Sequence, residues 1–209
     1  NNPLRVACRA AIDKGIWVVA AAGNSGPALG TITSPACERY VMAIGSTSYE
    51  PFLVSNFSSR GPTKEGLIKP DVVLFGEGII MASSSSDSAT ISKSGTSFAT
   101  PLGSGAAILY NEGYIRRAVP TQPLPGVYPE LGIWIGVQDL EKYLGACCVK
   151  PQGAPAEKDN DYGYGLPFGP LIAQIFQVTP AVDISALLLP VVAIGMMGII
   201  MSTMTKALD

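Results

Sequence analysis

Apolar positions in the first half of the chain fall into two alternating patterns. Leu4, Ala7, Cys8, Ala11 and Ile12 recur at helical spacing, and Gly15 follows as a stop. Ile16 to Ala22 is a continuous apolar run that opens with β-branched and aromatic residues and is bounded by glycines. This predicts a strand buried on both faces, as in a parallel sheet. Tyr40 to Gly45 and the run within Lys69 to Phe75 read as two further short strands. Ser83 to Ser88 is a serine-rich turn. Ser97 to Tyr110, rich in Gly and Ala, predicts a helix that packs closely on its neighbours. Helix, turn and buried strand in succession define an α/β chain.

The second half is less regular. Glu112 to Ile135 is crowded with Pro, Gly and aromatics and reads as an irregular insertion. Val137 to Ala146 returns to helical spacing, and Pro151 to Asp161 is a polar loop. Ile184 to Thr205 contains no charged residue, and Asp183 and Lys206 bracket it. At ~1.5 Å per residue this run is about 33 Å long, enough for a bilayer core of roughly 30 Å. It is expected to be a single transmembrane helix, a buried core helix being the other reading. The expected organisation is therefore a domain over 1–178 with the insertion near 112–135, a span over 184–205 and a short tail over 206–209.

Composition supports the membrane reading. Of 209 residues, 47% are hydrophobic and only 14% charged. The net charge of −2 gives no electrostatic case for a nucleic-acid partner. Cys8, Cys37, Cys147 and Cys148 match no zinc spacing and are expected as buried thiols or bridges. Neighbouring Cys147 and Cys148 have poor geometry for bridging each other.

The chemistry centres on Ser94-Gly95-Thr96-Ser97-Phe98-Ala99-Thr100-Pro101, a small-residue turn that runs into a helix. A hydroxyl at that junction is exposed, and its N–H has no acceptor within the helix. Ala20-Ala21-Ala22-Gly23-Asn24-Ser25-Gly26-Pro27 ends an apolar strand in Gly-Asn, which places a carboxamide at the C-terminal edge of the sheet. Ligands of open parallel sheets bind at that edge. Acyl transfer to Ser97 also needs a general base, and the chain has no histidine.

These segments resemble motifs of the subtilisin-like serine proteases. G-T-S-F-A-T-P is similar to the nucleophile motif, and A-A-G-N to the segment that carries the oxyanion asparagine. Phe57-Ser58-Ser59-Arg60-Gly61-Pro62, Lys69-Pro70-Asp71-Val72-Val73 and Asp161-Tyr162-Gly163-Tyr164-Gly165-Leu166 resemble three further family segments, the last being the turn that opens a final helix. They occur in family order over roughly residues 1 to 175, apart from the insertion. The resemblance implies the C-terminal part of a three-layer fold with a parallel sheet. It also implies Ser97 as nucleophile and Asn24 as oxyanion donor. Thr96 would lie beside the oxyanion hole, with Ala20, Ala21, Ala22 and Gly23 forming one wall of the primary specificity pocket.

Departures from the family pattern are Leu102 after A-T-P, where a noncatalytic histidine is usual, and Leu74-Phe75-Gly76 in place of A-P-G. The family's aspartate and histidine motifs lie upstream of anything in this chain. Asp71 is read as a loop-capping or ion-pairing carboxylate rather than a catalytic one. No metal ligand set and no cofactor is expected. The resemblance allows for calcium, but no acidic loop has its ligand spacing.

The expectation is the C-terminal part of a membrane-anchored endopeptidase. Its expected partners are an N-terminal part carrying Asp and His, a peptide or protein substrate, the bilayer and other members of a membrane protein complex, with no nucleic acid and with the peptidase part extracytoplasmic. The alternative is a catalytically inactive scaffold or accessory subunit of a membrane complex.

Overall fold

The computed structural model describes residues 2–118 and 137–169. Helix α1 spans Pro3–Ile12. The Asn2 side chain accepts from the Leu4 N–H at 2.9 Å, and Pro3 starts the helix where no N–H is needed. The chain then turns through Gly15, whose φ of +78° suits a residue without Cβ. Strands β1 (Val19–Ala21), β2 (Met42–Thr47) and β3 (Val72–Phe75) form a parallel sheet in that order. Ala20 pairs with Ala43, and Gly45 with Val73.

After β3 comes an antiparallel hairpin, β4 (Ile79–Ala82) and β5 (Thr90–Lys93). Helix α2 spans Thr96–Ala118 and α3 Val137–Gly145. Two short strands, β6 (Cys148–Val149) and β7 (Leu166–Pro167), pair antiparallel.

The sheet is the middle of three layers. Along β2, Met42 and Ile44 join a core with Val72, Leu74, Ala99, Ala107, Tyr110 and Leu144, so α2 and α3 cover that face. Ala43 points the other way, into a cluster with Cys8, Ala20, Ala36 and Val41 under α1. The period-2 alternation of a strand thus divides the apolar residues between two layers. Gly103 lets α2 lie flush on the sheet. A Cβ there would stand 2.7 Å from Ile44 Cδ1.

Several expectations shift. The apolar run from Ile16 yields only three residues of strand, because only Val19–Ala21 have a neighbour in β2. The β4–β5 hairpin was not foreseen. Half-buried and exposed residues alternate along β4, β5 is exposed throughout, and the serine-rich turn forms the tip. Helix α2 runs on to Ala118, so the first part of the expected irregular insertion is helical. The turn expected to open a helix leads first into the two-residue β7, and helix begins at Gly169, the last of the described residues.

The expected span 184–205 and the rest of the insertion lie outside the described residues. Among the described residues no helix is long and apolar enough to cross a membrane. All four cysteines are free thiols rather than bridges. Burial pushes the Cys147 thiol up to about 11 and raises that of Cys148 as well.

Two ionic clusters pin the layers. Arg5 and Arg9 on α1 both bond the Glu38 carboxylate, and Arg9 Nε lies 2.7 Å from Glu38 Oε2. Asp71, fully buried, pairs with Lys69 at 2.5 Å and Lys158 at 2.7 Å and accepts from the Ala43 N–H at 2.7 Å. Lys158 also pairs with Glu141 on α3. Burial pulls the Lys158 ammonium down, but the charges of Asp71 and Glu141 outweigh it and hold its pKa above the ordinary value. Asp71 is therefore an ion-pairing residue, as its sequence context suggests.

Candidate active site

Three strand ends converge on the turn before α2. Beyond β1, the Ala22 N–H donates to the Ile44 carbonyl at 2.9 Å, and the Ala22 carbonyl accepts from the Thr33 N–H at 2.9 Å. Gly23 follows with φ +115°. A Cβ there would lie 2.7 Å from Ser59 Oγ, so a side chain is excluded both by conformation and by space. The Ser59 N–H donates to the Gly23 carbonyl at 2.9 Å, and the Ser25 N–H donates to Ser59 Oγ at 3.1 Å. Asn24 is thus held between two anchored neighbours.

At the ends of β2 and β3, the Gly76 N–H donates to the Thr47 carbonyl at 3.2 Å. The Gly76 carbonyl in turn accepts from the Gly95 N–H at 2.7 Å. The altered Leu74-Phe75-Gly76 segment therefore still binds the turn before the helix. A Cβ on Gly76 would come within 2.7 Å of the Gly95 carbonyl oxygen.

Asn24 and the turn are joined by Thr96. Its N–H and its Oγ1 both donate to Asn24 Oδ1 at 2.9 Å. Two donors on one side determine the orientation of the amide, since only its oxygen can accept there. The NH₂ group is left as the donor end. It lies beside Gly95, where a Cβ would be 3.5 Å from Asn24 Nδ2. Ser97, one residue beyond Thr96, is exposed in the first turn of α2. N–H groups in that turn have no acceptor within the helix, and the helix dipole places partial positive charge there.

The structure therefore brings the Asn24 amide next to the turn that carries Ser97. Thr96 is 1% exposed and its hydroxyl is committed to Asn24, so it touches the amide rather than an open cleft. Ala20 and Ala22 are buried, and Ala21 and Gly23 are partly exposed. Only the latter two can present side-chain or Cα surface to a bound group. Asp71 stands at the start of β3, whereas Gly76 and Ser97 lie beyond its end. Thr33 and Ser59 support the site without having been singled out, as does Gly76 from the departing Leu74-Phe75-Gly76 segment. Ser59 lies within the F-S-S-R-G-P motif, but Thr33 carries no sequence signal.

Residues 2–122 match the model of the subtilase family, and the chain belongs to that family of subtilisin-like serine proteases. It is 39% identical over 127 residues to the serine protease AprX of Bacillus subtilis, covering 52% of this chain and 29% of that protein. It is 37% identical over 100 residues to the human membrane-bound transcription factor site-1 protease, covering 45% of this chain and 9% of that one.

Among solved structures, the self-cleaved protease domain of PatA superposes with a TM-score of 0.59 at 24% identity, over 85% of this chain and 56% of that one. Sphericase superposes at 0.57 and 24% identity, over 80% and 53%. These two establish the common fold. The chain spans less than a third of the curated relatives it matches and little more than half of the solved ones.

Proposed function

We propose that the chain is the Ser- and Asn-bearing part of a membrane-anchored endopeptidase. Its histidine and aspartate would come from an upstream segment or a separate chain. Ser97 Oγ attacks the carbonyl carbon of a peptide bond while the histidine takes its proton. The resulting oxyanion accepts from the Ser97 N–H and from Asn24 Nδ2. The C–N bond then breaks, the amine leaves with the proton, and water hydrolyses the acyl ester on Ser97.

The observation that carries this reading is the double hydrogen bond from Thr96 to Asn24 Oδ1, which leaves the amide's donor end beside the exposed Ser97 turn. Site roles of Ala21 and Gly23 at the specificity pocket belong to the same proposal. The charge-free run over 184–205 supports the anchor, with the peptidase part on the extracytoplasmic side.

The absence of histidine favours a second reading, an inactive scaffold in a membrane complex. One experiment separates the two. The intact protein in its membrane is treated with a fluorophosphonate probe, alongside Ser97→Ala. Labelling of the wild type that is lost in the variant supports the peptidase. A wild type that stays unlabelled leaves the scaffold.

A further inference from the structure

Asn56-Phe57-Ser58 is the only Asn-x-Ser/Thr triplet in the 209 residues, and its middle residue is not proline. That is the acceptor pattern for an N-linked sugar. The triplet lies beside the Asn24 loop without entering the site described above. The Phe57 carbonyl accepts from the Gly26 N–H at 2.9 Å.

Packing divides the triplet. Ser58 is fully buried, and its Oγ accepts from the Ser46 N–H at 3.0 Å. The Ser58 N–H donates to the Ser55 carbonyl at 2.9 Å, so Asn56 and Phe57 are the central residues of a tight turn. The Asn56 backbone packs inward. A Cβ on Gly26 would stand 2.8 Å from the Asn56 carbonyl oxygen. The Asn56 side chain is exposed, and its carboxamide has no hydrogen-bond partner among the described residues. The usual structural reason for asparagine in a turn is a side-chain bond to nearby backbone, and here that bond is not made.

Resting on the extracytoplasmic placement in the reading above, we propose that Asn56 carries an N-linked glycan. The co-substrate is a lipid-pyrophosphate-linked oligosaccharide. Asn56 Nδ2 attacks the anomeric carbon. The N–C bond forms as the C–O bond to the pyrophosphate breaks. The lipid pyrophosphate leaves with the bonding electrons, and the amide proton passes to a base on the transferase. The group added is bulky and polar, and the outward carboxamide has room for it.

The burial of Ser58 also determines when transfer happens. The pattern requires the hydroxyl two residues after the asparagine, and in the folded chain that hydroxyl is enclosed against β2. Transfer therefore precedes the packing of this turn on β2, and the finished fold is not an acceptor. Once attached, the glycan needs no rearrangement, because the side chain already lies in solvent.

The test uses the intact protein in sealed membrane vesicles with their cytoplasmic face outward. Peptide N-glycosidase F converts a glycosylated asparagine to aspartate. Trypsin then releases Tyr40 to Arg60, in which Asn56 is the sole asparagine. The expected peptide has aspartate at position 56 after the glycosidase and carries a glycan without it. Asn56→Gln should fold normally, since the carboxamide makes no bond here, and should lose the glycosidase-sensitive gel shift completely. Ser58→Ala should lose it too, with the asparagine still present. A shift that survives Asn56→Gln overturns the proposal.

Topology is read separately with Ser84→Cys, at the exposed tip of the hairpin, and a membrane-impermeant maleimide. Position 84 should stay unlabelled until detergent is added. If it is protected and Asn56 is unmodified, the proposal is overturned and the extracytoplasmic reading stands. If it is labelled without detergent and Asn56 is unmodified, both fall. A modified Asn56 with position 84 labelled upholds the glycan and removes the extracytoplasmic reading.

Discussion

Thr96 holds the Asn24 side-chain oxygen with two donors, its backbone N–H and its hydroxyl, each at 2.9 Å. The two residues are 72 positions apart along the chain. Thr96 itself is shielded from solvent, so its expected role is to aim the amide, while Asn24 is the group that would touch the reacting oxygen.

Thr96→Val keeps the N–H and removes the hydroxyl. One hydrogen bond of about 1–1.5 kcal/mol is lost, so on the proposed peptidase function kcat of the intact protein should fall about 10-fold while KM changes little. Thr96→Ser should restore it. Steady-state kinetics on a peptide substrate checks both, and equal loss in the serine variant would contradict the positioning role. Asn24→Ala should cost about 10²–10³ in kcat, a magnitude established on a member of this same family and carried over.

Gly23→Ala tests whether the approach to Asn24 is sterically closed. The added methyl meets Ser59 Oγ at 2.7 Å and Thr33 at 2.8 Å, at a φ of +115° that L side chains rarely adopt. A loss of about 1–3 kcal/mol in stability is expected, together with weaker Ser97 labelling. Denaturant midpoints and probe kinetics measure the two effects. A variant as stable and as reactive as wild type would show that the loop relaxes freely.

Asp71→Asn removes the carboxylate shared by Lys69 and Lys158, both largely buried, and Lys158 keeps Glu141 while Lys69 loses its ion-pair partner. Breaking a buried pair from one side costs about 3–5 kcal/mol, because the partner charge is left uncompensated. Urea unfolding should show that loss without a direct effect on the chemistry at Ser97. A midpoint within experimental error of wild type would mean the cluster is better hydrated than it looks.

Glu38 links α1 to the rest of the molecule. Its hydrogen bond with Arg9, opposed by burial and reinforced by Arg5, lowers its carboxyl from the ordinary 4.5 to about 2. The folded-state value lies below the unfolded one. This pair's contribution is therefore fully present above about pH 4.5 and fades as pH falls toward about 2. Unfolding midpoints between pH 2 and 7 should fall more steeply in wild type than in Glu38→Gln. Parallel curves would remove Glu38 as the source.

The order of short motifs along the chain is enough to reveal the family. Ser97 and Asn24 are legible because a nucleophile turn and a Gly-Asn strand end are local patterns, written in consecutive residues. The alternation in β2 and the helical spacing of α1 and α3 are legible for the same reason, since periodicity follows from backbone geometry. The hairpin β4–β5 was hidden because β4 (Ile79–Ala82) is apolar at every position and β5 mostly polar, so neither alternates in sequence, and β1 was shortened by the reach of its partner β2.

What no local pattern could supply is proximity between distant residues. The clasp of Thr96 on Asn24, the support of Gly23 by Ser59 and the pairing of Asp71 with Lys158 depend on how the layers pack. Side-chain hydrogen bonds form only where packing brings their partners within about 3 Å, and that distance is a property of the folded chain.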